Sequence, residues 1–240
     1  MHVDRLREQT KAFADAVAGL DPDVQVPSCP EWSVRVLVGH IGQAHRWAAE
    51  IIRTGAPAGF PDPREARPGP DWRRWLSDGV EEMADALAKA GDGPVWTFVG
   101  PQPTSFWLRR MVNDTAVHYV DVAITAGKGY ELAEDLAVDA IEEGLELLAL
   151  PGAEQMKPAL AELRGDGQTL RIIPEGRSGW LITRTPQGIA CSRASADADV
   201  TMSGTAQDIV LVSYGRLTLG DVTVTGNRDL IVHWLEHAKL

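Results

Sequence analysis

The chain has 240 residues, 44% hydrophobic and 24% charged, enough to bury a core without cross-links as one large or two modest domains. A net charge of −11 argues against nucleic acid or an anionic membrane as partner of the whole surface. Cys29 and Cys191 lie far apart and outside any C-x-x-C, which excludes a disulfide framework and a cysteine-based zinc knuckle.

The opening "MHVDRLREQTKAFADAV" has no leader pattern and no membrane-spanning run, so the cytoplasm is the expected location. Val3, Leu6, Phe13, Val17 and Leu20 give residues 3–19 a helical rhythm. Pro22, Pro27 and Pro30 break it. Ser33 is the expected N-cap of a long second helix that ends near Gly55, about 30 Å at ~1.5 Å per residue. Residues 56–70, "APAGFPDPREARPGP", hold five prolines and read as loop, of a length that usually serves function. A third helix follows, with Trp72, Trp75, Leu76, Val80, Met83 and Leu87 on one face. A fourth spans about 105–126 and stops at Gly127–Lys128–Gly129, and an acidic fifth closes at Pro151.

Beyond a polar stretch at 152–167 the rhythm changes. "TLRIIPE", "GWLITRT", "GIACSRA" and "ADVTMSG" read as strands, followed by a helix near 205–214, a strand at "VTVTG" and a final helix "NRDLIVHWLEHAKL". The expected architecture is a two-domain mix of α and α/β character. An all-helical domain at 1–152 precedes a small α+β domain at 153–240.

Six histidines carry most of the chemical signal. His233 and His237 sit one turn apart at the chain end and read as solvated or capping residues. His40 and His45 share the second helix but lie five positions apart, about 140° around its axis, so they cannot face one ion. His40 belongs with Leu37, Ala44 and Trp47 on the apolar stripe; His45 is expected nearer Arg46 and solvent.

"RRMVNDTAVHYVDV", residues 109–122, places Asp114 and His118 one turn apart on the stripe of Trp107, Met111 and Val122. At Cβ separations of ~5–6 Å both can reach one ion. With His40 from a neighbouring helix they form two imidazoles and a carboxylate, a set suited to zinc in an open site. A buried Asp–His pair beside a core histidine fits the same spacing. Asp121 is placed either to orient a ligand imidazole or to lie on the surface. Arg109 and Arg110 could hold a substrate carboxylate or form a surface ion pair. Cys29, with no evident activating base, reads as packing. No G-x-G-x-x-G, Walker loop or G-x-S-x-G is present.

"VPSCPEWSVRVLVGHIGQAHRWA", then "RRMVNDTAVHYVDV", then "VLVSYGRLTLGDVTVTGNRDL" together resemble the mycothiol-dependent maleylpyruvate isomerase family over nearly the whole chain. The resemblance implies a DinB-like four-helix bundle followed by a sterol-carrier-like α+β domain. It implies a divalent metal, usually zinc, on the residues that map to His40, Asp114 and His118, with mycothiol as thiol co-substrate. Asn113–Asp114 stands where the family has a His–Glu pair, so the carboxylate here is one methylene shorter.

The expected function is a metal-dependent isomerase or S-transferase in which a thiolate adds to a small electrophile. Arg216 of "YGR" would hold the acceptor's carboxylate, and the 56–70 loop would shape the thiol pocket. The competing expectation is a non-catalytic metal- or small-ligand-binding, regulatory protein on the same scaffold.

Overall fold

A computed structural model describes residues 2–238. The chain divides into two compact units, residues 1–131 and 132–240. Among the described residues no helix is long and apolar enough to cross a membrane.

The first unit is a four-helix bundle. It runs α1 (Val3–Val17), a small antiparallel hairpin of β1 (Gln25–Val26) and β2 (Cys29–Ser33), then α2 (Val34–Thr54). After the proline-rich loop come α3 (Trp72–Ala90), a second short hairpin of β3 (Pro94–Val95) and β4 (Gln102–Pro103), and α4 (Ser105–Thr125). α2 packs on α3 and α1 on α4, while α1–α3 and α2–α4 contacts close the ring. Phe13, Val17, Leu37, Val38, Ile41, Leu76 and Val122 form its core together with Val26 from the first hairpin.

The helix ends follow local chemistry. Ser33 occupies the N-cap position of α2 without a side-chain capping bond, and Gly55 ends that helix at φ 68°. α4 ends at Gly127, φ 62°, where Lys128 N–H reaches back to the Ala123 carbonyl. α2 is buried almost all round, because two glycines let its neighbours approach. A Cβ on Gly39 would lie 2.5 Å from the Pro63 carbonyl oxygen, and one on Gly42 would strike the Trp75 ring. Arg46 reinforces the second approach by donating to the Gly42 and Trp75 carbonyls.

The second unit contains α5 (Glu134–Leu148), the short α6 (Ala153–Met156), a 3-10 segment (Pro158–Leu163), β5 (Thr169–Pro174), β6 (Trp180–Thr185), β7 (Gly188–Arg193), β8 (Val200–Gly204), α7 (Ala206–Ser213), β9 (Thr223–Gly226) and α8 (Arg228–His237). The sheet order is β7-β6-β5-β8-β9, parallel only between β5 and β8. Leu170 and Ile172 alternate inward along β5, and α7 is buried through Ile209, Val210 and Leu211.

The boundary differs from the expected 152/153. α5 groups with the second unit and packs on α7. Its apolar face (Leu136, Ala140, Ile141, Leu145) announces burial but carries no record of the partner. The two small hairpins escaped the sequence reading, being too short to show alternation.

Candidate metal centre

α2 and α4 lie side by side, and their facing stripes bring His40, Asp114 and His118 together. His40 Nε2 is 3.1 Å from Asp114 Oδ2. Each of the three residues offers a ligand atom, and these atoms lie within 4.8 Å of one another. The His40 and Asp114 side chains are 13% and 18% exposed, so solvent still reaches the cluster. Two imidazoles, one carboxylate oxygen and a wet side are chemically what a four-coordinate divalent ion with one exchangeable position requires. The residues therefore fit the ion that the sequence resemblance implies.

Asp114 is shared. Its Oδ1 accepts from Arg110 Nη2 at 2.7 Å, leaving Oδ2 toward His40. Burial by itself would push this carboxyl up. The Arg110 guanidinium, the His40 hydrogen bond and the charges of His40 and His118 outweigh it, and the group is held well below the usual carboxylate range. Arg110 thus meets the cluster as the partner of Asp114. Arg109, the next residue on α4, is half-buried and turned about 100° away around the helix.

Asp121 is fully buried, which removes the surface alternative. Its Oδ2 lies 2.7 Å from His118 Nδ1, and its Oδ1 accepts from Ser28 Oγ at 2.5 Å. With Nδ1 engaged by the carboxylate, His118 turns Nε2 to the cluster.

Cys29 also approaches Asp121, Sγ to Oδ2 at 3.7 Å, so the expected isolation of this thiol gives way to a carboxylate and an imidazole beside it. Cys29, His118 and Asp121 form a second convergent group. The 2.7 Å between Nδ1 and Oδ2 is nevertheless a hydrogen-bond length, shorter than the ~3.4 Å between two ligands of a tetrahedral zinc.

His45 corrects the sequence reading. It is fully buried rather than near solvent, because α2 has no free side in that turn. Its Nε2 lies 2.9 Å from Thr115 Oγ1, and the Thr115 hydroxyl donates to the Met111 carbonyl, so the imidazole must be the donor. Nδ1 is buried without a hydrogen-bond partner, and burial pushes the ring's pKa down to about 3.

Aromatic rings border the cluster. Trp32, from β2, has its centroid 4.9 Å from that of His40 and 6.0 Å from that of His118. Phe60, from the proline-rich loop, is 6.0 Å from His40 and 54% exposed. The loop is held there by Trp47 Nε1, which donates to the Ala58 carbonyl, and by the close approach of Pro63 to Gly39. Ser28, Trp32 and Phe60 were not singled out from sequence. The only signal was the irregular, proline-bracketed composition of their two segments.

Arg216 lies in the second unit, in the turn that ends α7. Its N–H reaches the Leu211 carbonyl and its Nη1 the Tyr214 carbonyl at 2.6 Å. His237 Nδ1 donates to the His233 carbonyl near the C-terminus of α8, a local capping role as expected.

The model of the mycothiol maleylpyruvate isomerase N-terminal domain matches residues 3–123. Two crystal structures of mycothiol-dependent maleylpyruvate isomerase, one of them a histidine-to-alanine mutant, share the fold. The mutant superposes with a TM-score of 0.57 at 15% identity, the other with 0.54 at 16%, and each covers 93% of this chain and 91% of its own. No curated protein matches. The domain match over the four-helix unit, with the shared two-unit fold, places this chain in the mycothiol maleylpyruvate isomerase family.

Proposed function

We propose that this chain is a metal-dependent enzyme that activates a low-molecular-weight thiol, mycothiol, for addition to a small electrophile, as an isomerase or an S-transferase. The observation that carries this reading is the convergence of His40, Asp114 and His118 within 4.8 Å, with Asp121 on the outer nitrogen of His118. His40 and His118 would each present a ring nitrogen, and Asp114 its Oδ2, to a divalent ion, zinc being the ion this mixed set suits. When bound, the ion supplies Lewis acidity that makes the thiolate of a coordinated thiol available near neutral pH.

The chain's own residues do the rest. Asp121 keeps the proton of His118 on Nδ1, so Nε2 stays bare toward the site. Arg110 offsets the charge of Asp114. Trp32 and Phe60 give the thiol and the electrophile apolar walls that reduce competing water. Arg110 brings positive charge beside the cluster for a carboxylate-bearing substrate, whereas Arg109, turned away around α4, has less support in that role. The acceptor role of Arg216 has less support, because Nη1 of its guanidinium serves its own turn.

In an isomerase the thiolate adds to a carbon–carbon double bond conjugated with a carbonyl, and the electron pair moves to the carbonyl oxygen. The resulting single bond rotates. Return of the electron pair expels the thiolate and restores the double bond in the other geometry. In an S-transferase the adduct takes up a proton instead and the carbon–sulfur bond remains.

The rival reading is a non-catalytic binding protein, for which the second unit offers a cavity of about 480 Å³ bordered by Leu148, Leu160, Leu163, Arg164 and Ile189. Binding of metal and thiol separates the two.

The test is metal content of protein purified without chelator, for the wild type and His118→Ala, followed by mycothiol titration of the cobalt-substituted protein. One equivalent of metal lost in the variant, with a thiolate-to-cobalt absorption band in the wild type, supports the reading and justifies a screen of electrophiles. A wild type that neither retains nor takes up metal overturns it.

A further inference from the structure

Asp121 is fully buried on α4, and such a carboxylate holds one orientation only if both oxygens are satisfied. One oxygen serves His118. The other accepts from Ser28, which lies between β1 and β2 and 93 residues earlier in the chain. At 2.5 Å this O–H···O⁻ contact is in the short, charge-assisted range, whereas the Cys29 thiol at 3.7 Å is a weak donor. Pro27 and Pro30 fix φ on either side of the Ser28–Cys29 pair, which lowers the entropy lost in holding the hydroxyl on target. The same hairpin carries Trp32 against the His40 and His118 rings.

We propose that Ser28 is a positioning residue for this centre: its hydroxyl pins Asp121, and Asp121 thereby fixes the ring plane and tautomer of His118. The proposal rests on the reading above that His118 is a metal ligand. Without the Ser28 hydroxyl, Oδ1 is buried with one donor fewer and the carboxylate can swing about its Cβ–Cγ bond. The bond to Nδ1 then loses its fixed direction, and His118 Nε2 is no longer aimed at a single point. In this role Ser28 acts through Asp121 and His118.

The experiment uses the full chain with Co(II) as the probe, measuring its dissociation constant and visible ligand-field bands in the wild type, Ser28→Ala and Ser28→Thr. Circular dichroism confirms that each variant is folded. The expected result is about tenfold weaker Co(II) binding in Ser28→Ala, the scale of losses in the shell around metal ligands, with altered bands in the bound fraction. Ser28→Thr restores both, since the hydroxyl is what acts. If Ser28→Ala binds Co(II) with wild-type affinity and bands, the proposal is overturned and the metal reading stands. If affinity falls equally in both variants with unchanged bands, Ser28 is structural only and the proposal also fails. If the wild type takes up no Co(II), the metal reading and this proposal fall together.

Discussion

Arg110 Nη2 lies 2.7 Å from Asp114 Oδ1, one helical turn away, and both side chains are more than four-fifths buried. A permanent cation therefore holds the carboxylate that faces His40 on the opposing helix. This pairing makes the ion-free bundle tolerable, because it compensates a charge that would otherwise be stranded.

Replacing Arg110 by Met should expose that dependence. The ion-free protein should lose roughly 3 kcal/mol, the low end for breaking a buried pair. Added Zn(II) should recover much of the loss, since the ion supplies the missing positive charge. Urea unfolding with and without metal measures both. An equal loss in the two conditions would show that Arg110 does not share Asp114 with an ion.

His45 makes a pH prediction. Its unfolded imidazole takes a proton below about 6.5, and the folded one not until about 3. Between these values the unfolded state binds more protons, so stability falls as pH falls. The contribution is whole above pH 6.5 and declines toward pH 3, with about 2 kcal/mol gone by pH 5. His45→Gln retains a donor for Thr115 without titrating, and should flatten the slope between pH 7 and 5. Unfolding free energies across that range decide it; parallel slopes for variant and wild type would refute the assignment.

Gly39→Ala tests the close approach beside His40. In an open helix this change adds stability. Here the new Cβ meets the Pro63 oxygen at 2.5 Å and Ala66 Cβ at 2.8 Å, so we expect a loss of about 1–3 kcal/mol. Displacement of the loop should also weaken thiol binding through Phe60. A raised melting temperature would show that the loop does not seat on α2.

Phe60→Ala separates binding from folding. The ring is 54% exposed, so the melting temperature should move little. Once an electrophile is identified, its KM should rise about three- to tenfold, the scale of one aromatic contact, with kcat nearly constant. Unchanged steady-state constants would place the substrate elsewhere.

Much of this architecture was legible locally. The apolar rhythm of α1 to α5, Ser33 and Gly55 at the ends of α2, Gly127 after α4, and the alternation in β5 are read within a few residues of where they act. Asp114 and His118 share a face by spacing alone, and Asp121 three residues beyond His118 already sat within reach of its ring.

What the sequence determined by itself was which elements form and which face of each is apolar, because helical and strand periods are short-range properties of the backbone. What covers those faces was decided only by tertiary packing. His45 was assigned to solvent because a single-stripe reading assumes one buried side, and α2 is enclosed on nearly all sides. α5 showed a core-facing stripe and found its partner in the second unit. His40 meets Asp114 across 74 residues, and Ser28 meets Asp121 across 93, through contacts no local period encodes. Nor could burial of Asp121 be read from its neighbours in sequence. It depends on a two-strand hairpin too short to announce itself, closing over a carboxylate on which Ser28, His118 and Cys29 converge.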